Sequence, residues 1–381
     1  MIVRKITPVD VFCPRGNRLF GTGIHGDAVM PPWPSMFSGA VASRVIVDAG
    51  RLGEVARNPN GAEAVLAETL GPEFGLTGLA LSWRGRVCVP LPTDLACFRR
   101  EENREGVRVV RWVVRRLNPG TGVRWSPSLS EWVPVLEAEP DSKPSSGFWL
   151  TEEGLRKHLA GQLPGPAEVL RAGDNLWKVE ARLGIALSED RRTVEEGRIY
   201  TTDAVRLLED VSFVASFRGR SIPRGGLLRL GGDGRGAVLE PASPGEEAFF
   251  REVGKPQAGW PGFRMVLATP GVFPEGWRPA GVGEDGIWEL PGLRARLVAA
   301  KVGRNDVVSG WDVAKRAPKP AVKVAPWGSV YWFRVESGDT AALRAVWADG
   351  LWPSGARDIP ASRRREGFNR VWFGYWDPKE A

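Results

Sequence analysis

The chain has 381 residues, 43% apolar and 25% charged, a balance typical of a folded globular protein that gives enough apolar material for one large domain or two ordinary ones. Lys and Arg outnumber Asp and Glu 52 to 45 and the isoelectric point is near 9.6, a mild excess that favours an anionic partner without requiring one. With three cysteines (Cys13, Cys88 and Cys97) and no C-x-x-C pair, neither a zinc knuckle nor a disulfide framework is expected, and a reducing cytoplasm fits.

No run approaches the roughly 18 apolar residues of a membrane helix, and the opening MIVRKITPVDVF has no signal-peptide pattern. The 47 glycines and 31 prolines point to a folded but loop-rich protein. The bias of the cations to Arg suits phosphate and base recognition, and is equally produced by GC-rich coding.

In chain order, Ile2 to Phe12 reads as a strand, followed by a glycine-rich loop from Arg15 to Asp27. After MPPWPS, Ser35 is the expected N-cap of a helix over 35–48, with Met36, Phe37, Ala40, Val41 and Val45 at helical spacing and Gly50 as its stop. Leu76 to Ser82 and Arg86 to Pro90 read as strands joined by a turn at Arg84-Gly85. Residues 99–124 hold eight arginines, and VRVVRWVVRR within them fits a strand or a helix face; periodicity does not decide. A surface loop is expected over 134–147, a short helix over 151–161, and a long strand or a pair of strands from Tyr200 to Phe217.

SIPRGG at 221–226 is a candidate boundary, dividing the chain into domains 1–222 and 223–381. The second half repeats the pattern: strands at 227–230, 263–269, 294–302 and 328–335, a helix from Asp339 to Ala348, and a last strand from Val371 to Trp376. Each half therefore reads strand, helix, strands, helix, strand. The expected fold is α+β, with two ferredoxin-like (RRM-like) domains of antiparallel sheet and Gly-rich loops.

The chemistry of catalysis is sparse. His158 lies on a charged helix, EEGLRKHLAG, and is expected to be solvated. His25 could serve as a general base, but no acid–base partner is near it in sequence. Gly21, Gly23 and Gly26 spell G-x-G-x-x-G, yet Pro31, Pro32 and Pro34 prevent the helix that a dinucleotide site needs. GGDGRG at 231–236 lacks the G-K-[ST] of a phosphate-binding P-loop. No catalytic constellation, metal, cofactor or small-molecule substrate is called for.

What is present suits nucleic acid. Glycine loops let backbone amides approach phosphates, Arg supplies planar donors, and the 17 tryptophans offer stacking faces, most of them expected to be packing residues. The C-terminal RDIPASRRREGFNR carries five arginines into a glycine turn and is a candidate anion site.

At this point a resemblance enters. VDVFCPRGNRLFGTG followed by PPWPSMFSGAVASRVI (Phe12, Arg15, Gly16, Phe20, Gly21, Pro31, Pro32, Pro34, Ser35, Gly39) resembles the N-terminal signature of the third-subunit family of the type III-B CRISPR Cmr complex. RLGIALSEDRRTVEEGRIY (182–200), LGGDGR (230–235), LATPGVFPEGWRP (267–279), SGWD with PKP and PWGSVYWF (309–333), and GFNRVWFGYW (367–376) resemble later landmarks in the same order. Two departures are Asn369 in place of a glycine, which Asn can replace in left-handed backbone, and Trp327 in place of an alanine.

The resemblance implies two ferredoxin-like domains in a RAMP protein of antiviral defence. It implies a non-catalytic subunit that holds the repeat-derived 5′ tag of the crRNA and docks to the large polymerase-like Cas subunit and to the first backbone RAMP subunit. The loops at 15–27 and 367–374, with Arg15, Arg18 and Arg370, are the expected phosphate clamp, and His25 and Trp311 the supports for splayed bases. Arg235, Lys315 and Lys319 are expected to meet RNA or a neighbouring subunit. Gly16, Gly21, Gly23, Ser35, Arg44, Arg365, Gly367, Phe368 and Asn369 complete the candidate RNA-binding set. Two other functions are weighed: a Cas6-like RNA-processing endonuclease built on His25, and the tag-holding subunit of a type III-A complex.

Overall fold

A computed structural model describes residues 1–16, 25–104, 107–120, 132–136, 143–187, 194–352 and 362–380. Two large antiparallel sheets dominate. The first has eight strands in the order Val169–Arg171, Phe148–Thr151, Arg86–Pro90, Gly75–Trp83, Val211–Arg218, Ile2–Pro8, Gly236–Pro241, Gly226–Arg229. The second has five, in the order Ile287–Leu290, Leu293–Lys301, Val330–Gly338, Gly262–Leu267, Val371–Trp376.

The sheets lie back to back, and the alternation of side chains along each strand shows how. In the strand Val211–Arg218, Phe213, Ala215 and Phe217 face the helix Pro34–Asp48, while Val214 faces the second sheet. In the strand Gly262–Leu267, Val266 enters the same shared core, with Val298, Val330, Trp332 and Trp372, while Phe263, Met265 and Leu267 line a third core on the outer side. There the short helix Leu343–Asp349 covers them through Leu343. The layers therefore run helix, sheet, shared core, sheet, helix. Strands buried on both faces carry near-continuous apolar runs, as in VYWF at 330–333. Each fully buried Phe or Leu in these cores contributes about 1.5–3 kcal/mol.

Local chemistry explains most element ends. Pro34 occupies the first helical position, where its fixed φ and missing N–H cost nothing, and Gly50 ends the segment at φ +69°. Ser35 is therefore not the N-cap: Trp33 holds that position, with no side-chain cap, and Ser35 lies inside the first turn. Arg84 and Gly85, at φ +52° and +75°, form the expected tight turn, since two successive positive φ values match the twist of the strands they join.

Other elements decide open readings or correct expected ones. The Arg-rich stretch is a hairpin of Leu95–Arg104 and Val107–Gly120, because β-branched valines pair well across a ladder. Part of the expected loop at 134–147 is the strand Val133–Leu136, paired to that hairpin; residues 137–142 lie outside those described. Strands Gly226–Arg229 and Gly236–Pro241 complete the first sheet. Between Gly262–Leu267 and Leu293–Lys301 the chain forms no helix. His158, expected to be solvated, is fully buried: Leu155, His158 and Leu159 lie on the inner face of the helix Glu152–Leu159, beneath its charged outer face.

Among the described residues no helix is long and apolar enough to cross a membrane. Cys13, Cys88 and Cys97 are buried free thiols.

Candidate nucleic-acid interface

The segments that carry the N-terminal and GGDGRG motifs are 218 residues apart at Arg15 and Asp233, yet they meet. Gly231, Asp233 and Gly234 all adopt positive φ, which coils the loop tightly enough for the Gly232 amide to donate to the Cys13 carbonyl at 3.0 Å. A side chain at Gly231 would press on that carbonyl and on Met36 of the long helix. Arg15 then pairs with Asp233 at 2.8 Å. Burial pushes the Cys13 thiol up, Asp233 adds to this, and Arg235, Arg15 and Arg182 oppose it, so four charges crowd around one sulfur. Only one of the four is negative. Arg235 is half-exposed, and its side chain makes no hydrogen bond or ion pair among the described residues. Arg182 is shared with Glu180 at 3.3 Å and Asp10 at 3.6 Å. It sits inside one of the quoted motifs, but its place in this cluster was not legible there, because strand pairing brings it in.

Gly16 lies beside Arg15, close against Val29. Arg18, Gly21 and Gly23 lie outside the described residues. His25 is exposed on a short strand that runs parallel to the strand Val194–Leu207, opposite Thr201. The acid–base partner that sequence did not supply stands there: Asp203 Oδ1 is 3.3 Å from His25 Nε2.

A second exposed group forms on the hairpin Trp311–Asp312 and Ala317–Pro318. Trp311 is 59% exposed and Lys315 is solvated, while Ala314 packs on Ile46, Val55 and Val65 of the helical layer. The helix Pro34–Asp48 thus links the two groups, Met36 at the arginine cluster and Ile46 at the hairpin, about 15 Å apart along its axis.

The remaining candidates face inward or are engaged within the chain. Arg44 pairs with Asp48 and donates to the Leu227 carbonyl, tying the helix to the first sheet. Lys319 bonds Glu366 at 2.6 Å, and Arg365 forks onto Glu63. The stretch 367–374, expected as a glycine-rich loop at the surface, is a buried turn and strand. Gly367, at φ +88°, lies against Leu76, and Phe368 packs with Trp33, Val272, Val308 and Val324. Asn369 takes the left-handed backbone that its side chain tolerates, at φ +60°, and bonds Val272 and Leu351. Arg370 is buried and donates to the carbonyls of Ala348 at 3.0 Å and Leu76 at 3.3 Å. Desolvation brings its guanidinium down to about 10. The physical reason is shared by all four: the glycine turn lets the chain dive between the two sheets, so the motif joins the halves. Trp327, the departure from alanine, packs against the first core.

The family described as CRISPR-associated protein (Cas_Cmr3) matches residues 4–376. No curated protein matches. Among solved structures, a chain of the type III-B Cmr-beta complex bound to cognate target RNA and AMPPnP (state 1) is 14% identical, covering 97% of this chain and 95% of that one, with a TM-score of 0.51. A chain of the same complex described as bound to cognate target RNA gives the same identity and TM-score over 97% and 96%. A chain of the Csm3–Csm4 subcomplex of a type III-A interference complex is 11% identical over 90% and 97%, with a TM-score of 0.33.

Proposed function

We propose a role that starts from membership: the chain belongs to the Cas_Cmr3 family of CRISPR-associated proteins, and is thereby a component of a CRISPR effector. The finer reading is a non-catalytic crRNA-binding subunit of a type III-B Cmr complex. It holds the 5′ repeat-derived tag and bridges the large subunit to the backbone. The fold likeness to chains of an RNA-bound Cmr-beta assembly supports this.

The observation that carries the RNA-binding role is the meeting of the 13–16 and 231–236 segments, which presents Arg15 and Arg235 at one exposed edge beside glycine backbone. Trp311 and Lys315 add a stacking face and a charge about 15 Å away along the long helix. The sheets support the ferredoxin-like reading. Taking Ile2–Pro8, Gly75–Trp83, Val211–Arg218 and Gly236–Pro241 as strands one to four, the first sheet has the order four-one-three-two. Gly262–Leu267, Leu293–Lys301, Val330–Gly338 and Val371–Trp376 repeat that order in the second. The first keeps the first helix and the second keeps the second.

The test is to purify the protein from its host in mild salt and sequence the RNA that accompanies it. crRNAs sharing one 5′ tag, with other Cmr subunits alongside, support the role; absence of both sinks it. With tag RNA in vitro, Arg15→Ala and Arg235→Ala should each flatten the log–log salt dependence by about 0.7 per lost phosphate contact. An unchanged slope in both discards this edge. His25 with Asp203 keeps the endonuclease reading testable: tagged repeat RNA should remain uncut, and cutting that is lost in His25→Ala would favour that reading.

A further inference from the structure

On neighbouring strands, residues two apart share a face. His25 pairs in register with Thr201, so His25 and Asp27 stand beside Thr201 and Asp203 on one side of the sheet. Their side chains converge. His25 Nε2 lies 3.3 Å from Asp203 Oδ1 and 3.7 Å from Asp27 Oδ1, and the three ligand atoms all lie within 4.8 Å of one another. The other ring nitrogen, Nδ1, is 2.8 Å from Thr201 Oγ1.

That second contact engages Nδ1 and leaves Nε2 as the ring atom facing the two carboxylates. When the threonine hydroxyl accepts from Nδ1–H, the lone pair of Nε2 points at two carboxylate oxygens. In that tautomer Nε2 and the two carboxylate oxygens present three donor atoms to one cation; in the other, Nε2–H donates to Asp203. Bonds of about 2.0–2.2 Å from one ion to N and O ligands in a tetrahedron place those ligands about 3.4 Å apart, close to the two distances observed from Nε2. A hydrogen bond from the distal ring nitrogen is also what holds a ligating histidine in its tautomer and orientation.

We propose that His25, Asp27 and Asp203 form a binding site for one transition-metal dication of the zinc type, held through His25 Nε2 and one oxygen of each carboxylate and positioned by Thr201. One nitrogen and two oxygens suit Zn²⁺ or a similar borderline ion better than a soft one. Three protein ligands leave the fourth position open to water or to an anionic oxygen. The side chains are partly exposed (44%, 42% and 22% for His25, Asp27 and Asp203), so an ion can enter from solvent. Sequence spacing cannot reveal the site, since His25 and Thr201 are 176 residues apart.

The experiment is calorimetric titration of Zn²⁺ into the full chain, stripped by chelator and free of RNA. The expected result is one saturable equivalent per chain. Asp203→Asn and His25→Ala should each lose it, and Thr201→Val should weaken it about tenfold. Co²⁺ in place of Zn²⁺ should give visible absorption that disappears in the same variants. Far-UV dichroism checks that each variant folds; should Asp203→Asn fail, Asp27→Asn, at the more exposed carboxylate, replaces it. No saturable binding by the parent chain, or binding unchanged in both His25→Ala and Asp203→Asn, overturns the site. In the first case the chain's own groups satisfy the two carboxylates; in the second, the ion lies elsewhere.

Discussion

Arg264, Arg363 and Arg370 are almost fully withdrawn from solvent, whereas Arg235 is half-exposed and Lys315 exposed. One residue type therefore serves two purposes, and burial separates them. Arg370→Ala should cost about 2–4 kcal/mol, because it leaves the carbonyls of Ala348 and Leu76 without their donor in a dry site. Urea denaturation measures that loss, and the salt dependence of RNA binding should keep its slope. A flattened slope with full stability would return Arg370 to the phosphate clamp. The sequence made some of this legible. Asn369 was readable as a stand-in for glycine, and its φ of +60° agrees. Whether RRREGFNR lies on the surface or between sheets was not readable, since a glycine turn beside arginines looks the same in both settings.

Elements show the same division between what is local and what is not. The Arg84-Gly85 turn, the helix ending at Gly50 and the final strand Val371–Trp376 follow from nearby residues alone. The hairpin of residues 95–120 does not, because its identity depends on a partner strand across the turn. The hairpins between Asp306 and Val324 depend on contacts still farther away. Arg363, on the four-residue helix Ser362–Arg365, pairs with Glu366 at 2.9 Å and donates to the carbonyls of Ser309 at 3.0 Å and Pro320 at 2.9 Å. Arg363→Ala leaves Glu366 buried with Lys319 as its remaining cation. It should cost about 3–5 kcal/mol and speed amide exchange across 306–324 at least tenfold. Exchange unchanged in that segment would show that the apolar contacts of Val308 and Val324 hold it unaided.

At the scale of the molecule, the two sheets are joined through one polar knot inside the shared core. Asp94 follows the first sheet's strand Arg86–Pro90, His158 comes from the helix Glu152–Leu159, and Arg264 comes from the second sheet. Arg264 Nη1 lies 3.2 Å from Asp94 Oδ2 and 3.4 Å from His158 Nδ1, and His158 Nε2 lies 3.1 Å from Asp94 Oδ1. Desolvation, with the charge of Arg264 adding to it, lowers the His158 pKa against the pull of Asp94, so the ring is neutral in the fold, with Nε2 beside the carboxylate. Burial by itself would raise the Asp94 carboxyl, but its partners hold it below the usual range. Both folded pKa values are depressed, so the unfolded chain takes up these protons first. The stabilisation is complete above the ordinary imidazole value of 6.5 and declines as pH falls below it, by up to about 1.4 kcal/mol per pH unit for each proton. Urea midpoints at pH 7.5, 6.5 and 5.5 should fall progressively, and His158→Gln should flatten the trend; a variant as steep as its parent would remove His158 from the account. The chain holds only two histidines, which keeps that comparison clean. None of this was visible in sequence, where His158 sits among the charges of EEGLRKHLAG.

The bond from Arg370 to the Leu76 carbonyl spans 294 residues, and Ser38 likewise donates to the Arg365 carbonyl, 327 residues later. During synthesis, then, the amino-terminal half leaves the ribosome long before the residues that close it against the second sheet. For that interval Leu76, Val214 and their neighbours present an unfinished apolar face, and a chaperone or an assembly partner that meets the nascent chain meets it in that state.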